Sequence, residues 1–89
     1  MNATHPPVQE ATLDFLQRRL TLRHLRVLEA MHATGKLSAA ADLLNVTQPA
    51  VSKVLAELEK GLGQTLFARS KRGVRATVLG ERLIELGRR

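Results

Sequence analysis

Apolar residues recur at helical spacing from the start of the patterned part of the chain. Over residues 13–33, leucines and Met31 follow one another at intervals of three or four positions, except for the step of two from Leu20 to Leu22, and this spacing predicts a helix that ends at Gly35. Thr21 lies inside this stretch and is a suitable N-cap residue. Residues 13–20 therefore either belong to the same helix or form a separate short one.

A short helix with a face of small residues is predicted next. Its apolar positions follow the spacing i, i+3, i+4, i+7 and are Leu37, Ala40, Ala41 and Leu44. Ser38 is expected to be its N-cap. Asn45 tolerates the left-handed backbone that ends helices, Val46 is expected to point inward, and Thr47 is suited to cap the following helix. The pattern predicts a helix-turn-helix over residues 37–62.

The second helix of this unit, residues 48–62, has the most regular apolar spacing in the chain. Its buried face is expected to contain Val51, Val54, Leu55, Leu58 and Leu62. Pro49 is compatible with the first turn, where the N–H groups have no partner within the helix. Gly61 and Gly63 are expected to end the helix. The opposite face is short, polar and basic.

After this helix the spacing changes to that of short strands. Residues 65–67 and 74–76 predict two strands around a basic loop, so the segment 65–76 is expected to form a wing. The net charge of the chain is +6, and residues 61–89 carry seven Lys and Arg against two acids, whereas residues 1–60 carry seven against six. The positive charge is thus concentrated where a phosphate-facing element would lie, although a loop kept soluble by its charge has the same composition.

The chain is expected to end in an amphipathic helix that begins after Thr77. One face, made of Leu79, Leu83 and Leu86, is expected to cover the domain core. Val78 and Ile84 are left to face a partner, which predicts a homodimer through this helix.

These patterns predict one small, mainly α domain. Residues 1–12 have no visible apolar pattern and are expected to be a flexible leader, followed by the domain proper at residues 13–76. Residues 77–89 are expected to be the start of a linker helix that is cut short. We find no signal peptide and no apolar run of bilayer-spanning length, so a cytoplasmic protein without membrane contact is expected.

Chemistry-bearing residues are sparse. There is no cysteine, and the three histidines (His5, His24 and His32) have no carboxylate at metal-ligand spacing, so no metal site, no cofactor and no enzymatic activity are expected. A thin basic and polar face on a helix is instead typical of DNA recognition.

The candidate DNA-binding residues lie at the start of the third patterned helix and in the wing. Gln48 is suited to pair with adenine, Ser52 with base edges or phosphate, and Lys53 with guanine or phosphate. Thr47, Pro49 and Ala50 shape the same turn, and Lys71 and Arg72 are candidates for the backbone or the minor groove. Taken singly, Gln48 and Ser52 are better explained as solvent-facing positions, and it is the combination of cap, proline, polar face and wing that favours base contact. Arg69 is expected to pair with Glu59 rather than with DNA.

Several motifs together resemble the N-terminal domain of LysR-type transcriptional regulators. They are Leu25 to Ala30, Ser38 to Leu44, Thr47 to Lys53, Leu58-Glu59, Leu62-Gly63, Leu66 to Arg69 and Thr77 to Gly80. Their order and spacing carry the resemblance, because each one alone is weak. It extends from about Leu22 to the end of the chain.

This resemblance implies a winged helix-turn-helix with a three-helix core and a two-stranded wing, followed by a linker helix that pairs with its twin in a dimer. It implies that Gln48, Pro49, Ser52 and Lys53 meet the major groove of double-stranded DNA at a dyad-symmetric promoter site, and that the loop near Arg72 meets backbone or minor groove. Family members respond to a small-molecule inducer through a C-terminal effector domain, which is absent here. The competing interpretation is a protein interaction module that docks through its last helix and touches DNA only non-specifically.

Overall fold

Residues 7–88 are described by a computed structural model, with side chains from residue 13 onward. The elements within that range are α1 (Pro7–Arg18), α2 (Leu22–Thr34), α3 (Leu37–Leu44), α4 (Gln48–Leu62), β1 (Phe67–Ser70), β2 (Gly73–Ala76) and α5 (Val78–Gly87). The strands pair antiparallel, with Phe67 opposite Ala76 and Ser70 opposite Gly73. The predicted mainly α winged helix-turn-helix with a further helix behind it is confirmed. None of the described helices is both long and apolar enough to span a bilayer.

The core forms where the apolar faces of the helices meet under the wing. Its most enclosed side chains are Leu28, Met31, Val51, Leu55, Leu58, Leu62 and Leu66. Burying one such side chain contributes about 1.5–3 kcal/mol relative to leaving it in water. Ala40 and Ala41 are also buried, and their small size lets α3 approach both α2 and α4 closely. The position of α4 is fixed by the burial of its inner face, which consists of Val51, Val54, Leu55, Leu58 and Leu62.

The turn between α3 and α4 has the predicted backbone but not the predicted side-chain packing. Asn45 adopts the left-handed conformation (φ 58°, ψ 45°), and the Thr47 hydroxyl accepts the N–H of Ala50 at 3.3 Å. Val46 was expected to point inward and is instead 45% exposed. Ser38 was expected to cap α3, but the helix begins at Leu37 after Lys36, without a side-chain cap. Ser38 lies in the first turn instead.

The first helix begins before the predicted domain and runs into it. The expectation of a flexible leader is wrong for residues 7–12, because α1 begins at Pro7; residues 1–6 lie outside the described residues. Proline suits the first helical position, and Val8, Ala11 and Phe15 follow at the spacing i, i+3, i+7, a signal too short to stand out among polar residues.

The junction between α1 and α2 settles that they are separate helices. Thr21 caps α2, accepting the N–H of His24 at 3.2 Å, while its own N–H donates to Nδ1 of His24 at 3.0 Å. The ring of His24 lies 5.8 Å from that of Phe15, centroid to centroid, and Phe15 packs onto Gly61 of α4, where any side chain would collide with it. Burial lowers the pKa of His24, against a smaller opposing effect of Glu57. The neutral ring, which can accept the Thr21 N–H, is thereby favoured.

The face of α5 that meets the core differs from the predicted one. Leu83 is buried as expected, but Ile84, expected to face a partner, is also buried at 4% exposure. Leu86, expected to cover the core, is 50% exposed, and Val78 is 69% exposed. Gly80 lies so close to the carbonyl of Leu66 that a side chain there would collide with it, and the N–H of Thr77 donates to the same carbonyl at 2.9 Å.

Candidate nucleic-acid interface

The outer face of α4 begins with a cluster of polar residues at its first two turns. Gln48, Pro49, Ser52 and Lys53 line one shallow open depression. Gln48, Pro49 and Lys53 are exposed and Ser52 is half-buried. Because the Thr47 hydroxyl caps the helix, its role in the site is to fix the direction of this first turn.

The wing lies beside this cluster. Gln48 lines a groove together with residues of the α3 start and the wing, among them Lys36, Ser38, Arg69, Lys71 and Arg72. The amide of Val74 donates to the carbonyl of Gly35 at 2.9 Å, which ties β2 to the turn between α2 and α3. At the tip, the Ser70 hydroxyl accepts the N–H of Arg72 at 3.2 Å. The structure thus brings Lys71 and Arg72 to the same groove as Gln48.

The base of the wing is fixed by Glu59 of α4. Its Oε2 accepts the N–H of Leu66 at 2.6 Å and that of Phe67 at 3.3 Å. The expected pair between Arg69 and Glu59 is wrong, because the carboxylate serves these backbone amides and Arg69 is exposed without an ion pair among the described residues. Arg69 is therefore available to a ligand.

The groove between wing and α4 is electropositive. Its lining includes Lys36, Arg69, Lys71 and Arg72 and no acidic residue. Within residues 13–88 the ion pairs involve only Arg18 with Asp14 and Arg88 with Glu29, so these four cations are unpaired there. Sequence reasoning missed Lys36, whose signal was a basic residue directly before a helix start. Such a groove attracts a polyanion.

Ala50 faces away from this groove. It lies on the other side of α4, in a groove between α2 and the turn before α4. Of the predicted site residues, the structure therefore gathers Gln48, Pro49, Ser52 and Lys53 on one face, with Lys71 and Arg72 beside them. Ala50 stands apart.

Comparison with known proteins places this geometry in a family. Residues 22–81 match the model of the bacterial regulatory helix-turn-helix proteins of the lysR family. The regulator GbpR of Azospirillum brasilense is 45% identical over 74 residues, which are 83% of this chain and 22% of that protein. The uncharacterized regulator YdcI of Escherichia coli K12 is 43% identical over 71 residues, 80% of this chain and 23% of the relative.

A solved structure of a LysR family regulator has the same fold. The chain resembles the DNA-binding domain of CbnR in a crystal structure with DNA, with a TM-score of 0.73, 35% identity, and coverage of 78% of this chain and 79% of that one. The chain spans about a quarter or less of the curated relatives. Helix α1 lies before the matched residues. With the fold, the motifs and these relatives in agreement, the chain belongs to the lysR family of bacterial regulatory helix-turn-helix proteins and carries its helix-turn-helix domain.

Proposed function

We propose that this domain binds double-stranded DNA sequence-specifically, with α4 in the major groove and the wing on the backbone or in the minor groove. The observation that carries the proposal is the acid-free groove in which Gln48 meets the cations of the wing. The major groove of B-DNA admits one α-helix, and the first two turns of α4 present Gln48, Pro49 and Lys53 as exposed side chains. The resemblance to the DNA-binding domain of CbnR, which was crystallised with DNA, supports the same role.

The side chains divide by their chemistry. Gln48 has the paired donor and acceptor that match adenine, and Ser52 can reach base edges or phosphate. Lys53 is a point donor without the planar fork of arginine, so it donates either to guanine or to a phosphate. Lys71 and Arg72 bind phosphates or the minor groove.

The test is a titration of fluorescent random-sequence duplex DNA with the chain, followed by anisotropy at a series of salt concentrations. Each neutralised phosphate contributes about −0.9 to the slope of log K against log salt, so a steep line is expected. A flat line would contradict the proposal and leave the protein interaction module as the better explanation. That alternative is not favoured, because the chain matches the helix-turn-helix domain of the lysR family and resembles a domain solved in complex with DNA.

Arg72 provides the first residue-level prediction. Arg72→Ala is expected to weaken binding to every DNA sequence and to reduce the salt slope by about one unit, because one phosphate contact is lost. The measurement is the same anisotropy series on random and selected DNA. Arg18→Ala is the control, since Arg18 pairs with Asp14 on α1, away from the wing. An Arg72 variant with the slope of the unmodified chain would show that the wing tip stays in solvent.

We also propose a homodimer formed through α5, now with a revised surface. The exposed apolar residues of this helix are Val78 and Leu86, with Arg82 between them on the same side. The burial of Ile84 removes it from that surface. Two copies that pair in this way present two copies of α4, as a dyad-symmetric site requires.

For this dimer, the double substitution of Val78 and Leu86 by glutamate is expected to abolish concentration-dependent association, because it buries charge in the interface. Sedimentation velocity of the chain at high concentration, with and without DNA, measures it. Leu43→Glu is the matched control, since Leu43 is 63% exposed on α3. Equal loss of association in the control, or a monomer at all concentrations before substitution, would refute the proposal.

The proposal for the whole protein follows from its relatives, which are named as transcriptional regulators and are about four times longer. We propose a cytoplasmic regulator that binds promoter DNA and is not an enzyme. Any response to a small-molecule inducer belongs to a separate effector domain.

A further inference from the structure

Two further arginines without an ion pair among the described residues lie on the side of α4 opposite the wing. Arg23 and Arg26, in the first two turns of α2, line a groove of about 270 Å³ with Leu22, Val46 and Ala50. Val46 belongs to the turn before α4 and Ala50 to its first turn. The two arginines therefore lie at the start of α4, where the candidate DNA-binding residues are.

The two grooves flank the start of α4 on opposite sides. At 3.6 residues per turn, Ala50 lies about 160° around the helix from Gln48. Gln48 lines the groove of the wing, and Ala50 lines the groove of Arg23 and Arg26. The exposed face at Pro49 and Lys53 lies between them.

The charges of this second groove are free. Arg23 and Arg26 are exposed and have no ion pair among residues 13–88. Glu29, one turn further along α2, is occupied by Arg88, whose Nη2 lies 2.7 Å from it. Glu57 of α4 lines a different depression, beside His24 and Phe15. No acid lines the groove itself.

A helix in the major groove has a phosphate backbone on both sides, because the groove is about 12 Å wide and bordered by both strands. We propose that Arg23 and Arg26 bind the backbone on the side opposite the wing, so that the domain holds both walls of the groove it reads. Arginine suits this role, since its planar fork binds two phosphate oxygens at once. The inference rests on the proposed DNA binding and adds a contact to it.

The test compares three double variants in the anisotropy salt series on random duplex DNA. Arg23→Gln with Arg26→Gln is expected to lower the magnitude of the salt slope by about 1.8, which makes the loss of affinity between 50 and 200 mM salt about tenfold smaller. The lysine pair at the same positions keeps the charge and is expected to retain most of the slope. Arg18→Gln with Arg19→Gln, at the last residue of α1 and the residue after it, changes the net charge equally and is expected to leave the slope nearly unchanged.

The outcomes separate this inference from the proposed function. A glutamine pair with the slope of the α1 control would overturn the second backbone contact while DNA binding stands. Equal loss in the glutamine and lysine pairs would also overturn it, because the arginines would then act through the fold. A flat line for the unmodified chain would instead remove the proposed function itself.

Discussion

Alanine substitution of Gln48 and of Ser52 is expected to weaken binding to the selected site by about 1–3 kcal/mol each, and to leave binding to random DNA nearly unchanged. Both residues lie on the outer face of the first two turns of α4 and serve no contact in the core. Their loss removes hydrogen bonds to base edges without removing phosphate charge. The measurement is a pair of titrations, one on a site selected from a random pool and one on random duplex.

Ala56→Ser is the control for these base readers. Ala56 is exposed two turns along the helix from Gln48, so a small hydroxyl there is expected to change neither affinity. Equal losses on both DNAs for the Gln48 and Ser52 variants would remove these residues from base readout and reassign them to the backbone.

The second large effect is expected at the wing. Gly73 has φ +121°, a backbone conformation that side chains rarely adopt, and a Cβ there would collide with the carbonyl oxygen of Gly35. Gly73→Ala is therefore expected to lower the free energy of unfolding by about 3 kcal/mol. It also strains the hydrogen bond from Val74 to Gly35, which ties the wing to the turn before α3. Denaturant unfolding of the chain measures the change in stability.

Gly63 is the matched control. It ends α4 with φ +69°, and nothing lies within 4 Å of a Cβ added there. Gly63→Ala is expected to cost only about 1 kcal/mol, because left-handed strain is the sole penalty. If both variants cost the same, the close approach of Gly73 to Gly35 contributes nothing to stability.

Sequence patterns predicted α4 best because all five apolar positions assigned to its inner face are buried and its cap and proline agree with the same start. The bounds 48–62 follow from Thr47 before the helix and Gly63 after it. By contrast, the cap of α3 depends on where the chain leaves α2. The Thr34 hydroxyl accepts the N–H of Lys36 at 3.5 Å and lies 2.8 Å from the carbonyl of Ala30 and 3.1 Å from that of Lys36, and α3 begins at Leu37, one residue before Ser38.

The errors in α5 and at Glu59 arise from contacts distant in sequence. The spacing of leucines predicted a buried face of Leu79, Leu83 and Leu86 on α5, whereas the helix packs with Gly80 close to the Leu66 carbonyl and buries Ile84. Glu59 pairs with backbone amides seven and eight residues ahead, a choice that composition does not reveal. The positions of Gln48 and the wing relative to each other likewise required the fold.

In the proposed dimer, the packing of α5 on the rest of the domain limits the spacing of the DNA half-sites. The helix is held near both ends, by Gly80 on Leu66 and by the two hydrogen bonds from Arg88 to Glu29 on α2. In a dimer joined through α5, these two contacts fix the distance between the two copies of α4. Half-site spacing on one face of DNA changes in steps of a helical turn, about 34 Å. A promoter with half a helical turn inserted between its half-sites would then be bound more weakly, because the two half-sites lie on opposite faces of the DNA, although the bases of each half-site are unchanged.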